Sequence, residues 1–206
     1  MKSSKIQKIE KAAPPRVDKK EAILDAMLNL ISERGFHDAP MSLVSKRSGA
    51  SAGVIYHYFP SKEDIIHALY RKIRSAKRHV MLAEYSPNLT PKEAFCSMWI
   101  RAYNFYRSHS RETRFLDLYL NSSFCNSSDA IETPDQDNEA LNIARRQYEK
   151  LFRPRSKGGV LRDLPKVVIE ELTFNLAARL AQKEDAIKPE ALKKVAEAIW
   201  KAIAAD

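Results

Sequence analysis

Glycine is scarce in this chain, with five in 206 residues. So few residues free to take left-handed backbone argue against an all-β fold built on many tight turns. Cysteine is scarcer still. Cys96 and Cys125 are far apart and fit no metal or redox spacing, so they read as two reduced thiols of a cytoplasmic protein. No uninterrupted apolar run approaches the roughly 18 residues that a membrane-spanning helix needs, so no membrane partner is expected. The first sixteen residues, MKSSKIQKIEKAAPPR, are basic but hold no apolar stretch of the kind a secretory signal carries. A nucleophile with its base, a catalytic carboxylate pair and a metal-ligand spacing are also missing. His37, His67, His79 and His109 stand at no metal-binding interval. An enzyme, a cofactor and a bound metal are therefore not expected.

What the chain has is apolar residues, 44% of the total, and an uneven positive charge. Its net charge is +9, and residues 1–80 hold 16 Lys and Arg against 8 Asp and Glu, leaving near balance in the remainder. A basic face is what neutralising phosphates requires, although a solvated basic surface has the same composition. The most informative stretch is residues 40–64, PMSLVSKRSGASAGVIYHYFPSKED. It reads as two short helices joined at Gly49 with a third helix start at Ser61. That is the arrangement that places one helix in the major groove of DNA.

The rest of the pattern is helical, giving an all-α chain of about nine helices and no credible strand. Residues 1–17 read as a disordered basic arm, in which Lys8, Lys11 and Arg16 are candidate phosphate contacts. Asp18 with Glu21 three residues on suggests a capping box, and Gly35 closes the first helix. Pro40 suits the first turn of the second helix, with Leu43 and Val44 inward. Ser51 caps a third, short helix with Val54, Tyr58 and Phe59 packed inward, and Pro60 stops it. Ser61 caps a long helix over about 61–83, with Ile65, Ile66, Leu69, Ile73, Ala76 and Val80 on its apolar face. Thr90-Pro91-Lys92-Glu93 begins another helix, whose face carries Phe95, Met98, Trp99, Ala102 and Tyr106. Ser110 is the expected cap of the next. Residues 121–137 read as a loop, helical spacing resumes at Leu141 through Phe152, and a second loop spans Pro154 to Pro165. The last two helices run over roughly 166–184 and 189–204.

The run Gly49-Ala50-Ser51-Ala52-Gly53-Val54-Ile55-Tyr56-His57-Tyr58-Phe59-Pro60-Ser61-Lys62-Glu63, with Gly35-Phe36 before it, resembles the DNA-binding domain of the TetR family of bacterial transcriptional regulators. The resemblance covers about residues 18–64. It departs from the family at Pro40, where threonine is usual, and at Ser45, where alanine is usual. Because proline has no hydrogen to donate, Ser42 or the helix-start amides would have to take the place of the threonine hydroxyl.

The residue types suit the role on their own terms. Ser51 fixes the start of the third helix, and Ala52 and Gly53 are small enough for close approach to a groove. Tyr56 and His57 can face the backbone or base edges. Lys62 stands at a helix start, where a lysine opposes the dipole and a phosphate would explain it. Lys46 and Arg47 lie on the exposed side of the second helix. The candidate DNA contacts are thus Ser42, Lys46, Arg47, Ser51, Ala52, Gly53, Tyr56, His57 and Lys62.

The resemblance also implies that residues 65–206 form a helical ligand-binding and dimerisation domain, and that the chain is a homodimeric repressor of a palindromic operator, released by a small molecule. Phe95, Met98, Trp99, Tyr103, Phe115, Tyr119, Tyr148 and Phe174 are candidate lining of a ligand pocket, although such residues equally fill a core. Val168, Leu172, Leu176 and Leu180, with Leu192, Val195, Ile199 and Ile203, give the last two helices apolar faces for a dimer or for closing their own domain. A transcriptional activator and a nonspecific, nucleoid-type DNA binder remain as alternatives.

Overall fold

In the computed structural model, residues 18–83, 86, 88–125 and 139–205 are described, and nine helices are found among them. The basic arm and most of the expected 121–137 loop lie outside these residues.

The first three helices form a small bundle. α1 (Lys19–Arg34) begins at Asp18, whose carboxylate accepts the Lys20 amide at 2.9 Å. Glu21 does not complete a capping box; its carboxylate meets Lys72 on α4 instead. Gly35 ends α1 at φ 81° and returns its amide to the Ile31 carbonyl at 2.8 Å. α2 (Met41–Ser48) has Pro40 as its N-cap rather than inside its first turn, and Gly49 follows it in left-handed conformation. α3 (Ala52–Tyr58) starts at Ser51, whose hydroxyl accepts the Val54 amide. Ile23, Met27, Leu30 and Ile31 of α1 are fully buried, as are Val44 and Ile55 from the two helices that follow.

α4 (Lys62–Leu82) starts at Ser61, which accepts the Asp64 amide at 3.1 Å. Its 21 residues reach about 31 Å at 1.5 Å per residue. The buried stripe continues from Ile73 to Met81 and Leu82, while Ala76 and Val80 face solvent, contrary to the expected pattern.

α5 (Pro91–Ser108) is the centre of the second half. It opens on a complete capping box: Thr90 accepts the Glu93 amide, and Glu93 accepts the Thr90 amide at 2.9 Å. The Thr90 hydroxyl, which donates to the same carboxylate at 2.7 Å, and then the Thr90 amide hold the Glu93 carboxyl below the usual range for a glutamate. α6 (Ser110–Leu120) has His109, not Ser110, as its cap residue, and no side chain caps it. α7 (Glu139–Leu151) follows.

α8 is one helical rod in three pieces, α-helical over Lys166–Glu170, π-helical over Glu171–Asn175 and α-helical over Leu176–Ala181. It ends three residues before the expected boundary. Its buried face is Ile169, Thr173, Ala177 and Ala181, one residue out of step with the expected Val168 and Leu172, which are exposed. The reason is volume. The α5 side facing it carries Trp99 and Tyr103, both buried, so the apposed stripe must be small. Trp99 also donates its indole N–H to the Thr173 carbonyl at 3.0 Å, a group in the π turn.

α9 (Pro189–Ile203) packs on α5 with Leu192, Ala196, Ile199 and Ile203 buried, so three of its four expected interface residues close the domain's own core. The chain end is stitched to the 153–162 loop by bonds from Arg162 to Ile203 and from Ala205 to Val160. Leu161 makes isolated bridges to Pro154 and Ala204, and no strand is formed among the described residues. Cys96 is half-buried and Cys125 exposed, both as free thiols, and burial pushes the Cys96 thiol up.

Candidate nucleic-acid interface

α3 is held to the molecule by two side chains. Ile55 and Phe59 are buried, and they are one helical turn apart. Val54 and Tyr58, expected to pack inward, are 37% and 43% exposed, and Tyr56 is 51% exposed. At 100° per residue, the direction opposite the Ile55–Phe59 pair, about 180° away, belongs to His57, with Gly53 within about 40° of it. Tyr56 and Tyr58 flank this direction on either side. The outward surface of α3 is therefore Gly53, Val54 and His57, bordered on either side by Tyr56 and Tyr58, with the His57 and Tyr58 rings edge to face at 5.4 Å. A seven-residue helix that turns two tyrosines and a histidine to solvent gains nothing for its own fold from them. Tyr58 was not among the candidates. The greater apolar character of Ile55 and Phe59 over Val54 and Tyr58 was the signal that would have found it.

The turn ahead of α3 is tied from three sides. Lys19 donates to the Gly49 carbonyl at 3.1 Å, the Ser45 hydroxyl donates to the Ala50 carbonyl at 2.7 Å, and the Ser48 hydroxyl accepts the Ala50 amide at 3.2 Å. Ser45 thus fastens the very turn that sets the angle between α2 and α3.

The other candidates fall in two groups. Ser42 and Lys46 are exposed on α2, and Ser51 and Ala52 are exposed at the start of α3. At the start of α2 the Leu43 and Val44 amides already bond the Pro40 carbonyl, which leaves the Ser42 hydroxyl as the side-chain donor there. Arg47 and Lys62 are engaged elsewhere. Arg47 forms a two-pronged pair with Glu33 of α1, both bonds 2.8 Å, which lowers the Glu33 carboxyl below its ordinary range and raises the guanidinium. Lys62 donates to the Phe36 carbonyl at 2.7 Å. That bond accounts for a lysine at a helix start without a phosphate and pins α4 to the α1–α2 link.

The tie between Arg47 and Glu33 gives a direct test. Glu33→Gln removes the opposing charge and releases Arg47 for phosphate. The slope of log binding constant against log salt is expected to steepen by about one. An unchanged slope would show that Arg47 stays out of the interface.

This geometry belongs to a region with close counterparts. Residues 23–69 match the model of the bacterial regulatory proteins of the tetR family. That match spans 47 of the 206 residues, so the likeness to the family is established for the first part of the chain. Over 64 residues the chain is 38% identical to the HTH-type transcriptional regulator BetI of Klebsiella pneumoniae and of Escherichia coli K12, a match that covers 31% of this chain and only 33% of those relatives. Solved TetR structures extend the likeness in fold. A TetR family protein of Vibrio parahaemolyticus superposes over 92% of this chain and 100% of its own, at TM-score 0.70 and 24% identity. A TetR family transcription regulator of Marinobacter aquaeolei VT8 covers 91% of this chain and 96% of its own, at TM-score 0.76 and 16% identity. At such identities these two establish the fold alone.

The second half holds a cavity of about 280 Å³ between the end of α4, α5, α7 and the 158–160 loop. Of the eight expected lining residues, Met98 and Tyr148 border it. Phe95, Trp99, Tyr103, Phe115 and Tyr119 are instead buried core, and Phe174 stacks in an aromatic cluster with Tyr148 and Phe152. Phe115 and Tyr119 join the two halves of the chain. Tyr119 stacks on Tyr70 of α4 at 4.0 Å and its hydroxyl pairs with His67 at 2.9 Å, while Phe115 lies edge-on to Phe36 at 6.1 Å. No helix among the described residues is long and apolar enough to cross a membrane.

Proposed function

We propose that this chain is a sequence-specific transcriptional regulator that binds DNA as a homodimer, with α3 of each subunit in a major groove and a small molecule releasing it as a repressor is released. The observation that carries the reading is the exposed surface of α3, where Gly53, Tyr56, His57 and Tyr58 are turned to solvent while Ile55 and the C-cap Phe59 are buried. The exposed Ser42 and Lys46 of α2 supply a hydroxyl and a cation for phosphate. One reading helix this short specifies little sequence, so a dimer is required. The apolar surface that suits one is on α8, where Val167 is 62%, Val168 36% and Leu172 37% exposed.

Release follows from α4. Its first turn is pinned beside α1 through Lys62, and its last turn supplies Met81 and Leu82 to the cavity wall. A ligand seated there displaces one end of a stiff helix whose other end carries the reading head. It shifts the equilibrium only if it binds the displaced state more tightly.

Selection of bound sequences from random duplex DNA tests the proposal. Enrichment of an inverted repeat, with half-site centres about 34–36 Å apart or a multiple of it, is the expected result. Salt-sensitive binding with no enriched repeat would favour a nonspecific binder.

A further inference from the structure

One side chain on the outward surface of α3 has no atom that can hydrogen-bond. Val54 is 37% exposed. At 100° per residue it stands about 60° from the outward direction, closer to it than either tyrosine. Its backbone is fixed, because the Ser51 hydroxyl accepts its amide at 3.4 Å. Its side chain is nearly as fixed, because a β-branched residue in a helix keeps one strongly preferred χ1 rotamer. Neither helix propensity nor the core accounts for this residue. Valine is a modest helix former, and the buried anchors at α3 are Ile55 and Phe59. A Cβ built on the neighbouring Gly53 meets nothing within 4 Å, so the first turn of α3 is open there.

Base edges in the major groove of unmodified DNA present hydrogen-bond donors and acceptors and one apolar group, the C5-methyl of thymine. A helix-turn-helix reaches those edges with the first residues of its second helix, and Val54 is the third residue of α3. We infer that Val54 packs on the 5-methyl of one thymine in each half-site and so selects an A·T pair there. The inference rests on the DNA-binding reading above and names a base that this surface selects. A rigid apolar head suits the contact, because little rotamer freedom is lost when it forms. His57 lies three positions on, and the Cβ atoms of such a pair are about 5–6 Å apart. The ring therefore reaches the same base pair or the next, where it serves the polar atoms that a valine cannot. Burying one methyl group contributes about fourfold in affinity per half-site.

Titration of the full chain at low salt tests this, with duplexes that carry the selected inverted repeat. Each thymine of the half-sites is replaced in turn by uracil, which removes the methyl and keeps every hydrogen-bonding atom. One thymine per half-site is expected to matter, at about fourfold, or about sixteenfold when both half-sites are changed. Val54→Ser should melt near the parent and bind the thymine and uracil duplexes alike. The uracil scan uses the parent chain, so it stands whether or not that variant folds. Uracil tolerated at every position, half-sites without an A·T pair, or a folded Val54→Ser chain that keeps the thymine-to-uracil ratio would overturn the inference. Each of these leaves the functional reading in place, because the repeat is still bound. Selection that enriches no repeat would overturn that reading and the inference with it.

Discussion

Gly53→Asp is expected to leave the fold at least as stable as the parent and to abolish sequence-specific DNA binding. Gly53 is the second residue of α3, and a Cβ built there meets nothing within 4 Å. An aspartate in the first turn complements the positive end of the helix, and replacing glycine removes unfolded-state freedom, so folding should gain up to about 1 kcal/mol. The same carboxylate projects within about 40° of the helix's outward direction, where the account places DNA. Like charges brought together at an interface cost several kcal/mol, and the loss of affinity should exceed about a hundredfold. Gly53→Asn carries the same bulk without the charge and should lose far less. Thermal melts and duplex titrations on the two variants check both halves. Asp and Asn variants that bind alike would mean that bulk, not charge, matters at this position.

Gly159→Ala is expected to destabilise the second half by about 3 kcal/mol, the upper end of what overpacking costs. The cause is backbone geometry. A Cβ at Gly159 would stand 1.9 Å from the Arg153 carbonyl oxygen, and that oxygen cannot swing aside because it accepts the Leu161 amide at 3.1 Å. Leu161 in turn is buried and bridges to Ala204, so the clash is transmitted to the chain end. At 2–4 °C per kcal/mol for a chain of this size, the melting temperature should fall by about 6–12 °C. An alanine variant that melts with the parent would show that the 153–161 loop adopts another path.

What was legible in the sequence was local. Ser51, Ser61, Thr90 with Glu93, Gly35 and Gly49 were read correctly because a cap or a left-handed residue acts on backbone within a few positions of itself. The all-α class and the helix order followed from apolar spacing. Facing directions were harder. Val54–Tyr58 and Ile55–Phe59 have the same spacing, as do Val168–Leu172 and Ile169–Thr173, and spacing alone does not choose between them. In α8 the choice fell to Thr173, Ala177 and Ala181 because Trp99 and Tyr103 on α5 had taken the space.

Contacts between distant elements were not legible at all. The Arg47–Glu33 pair spans 14 positions and the Lys62–Phe36 bond spans 26, and both claim side chains that composition alone offers to DNA. The cavity shows the same limit from the other side. Aromatic residues were the natural candidates for its walls, but Phe95, Trp99, Phe115 and Tyr119 are fully buried core. Its polar lining, Arg101, Gln147, Tyr148 and Lys150, is assembled only when α5 and α7 are brought together.

The central claim is that the outward face of α3 meets DNA. Amide hydrogen exchange of the full chain, with and without the duplex recovered by selection, tests it most directly. The account predicts slowed exchange confined mainly to residues 41–59, the span of α2, the turn and α3. Slowed exchange elsewhere in the chain, with 41–59 unchanged, would contradict it.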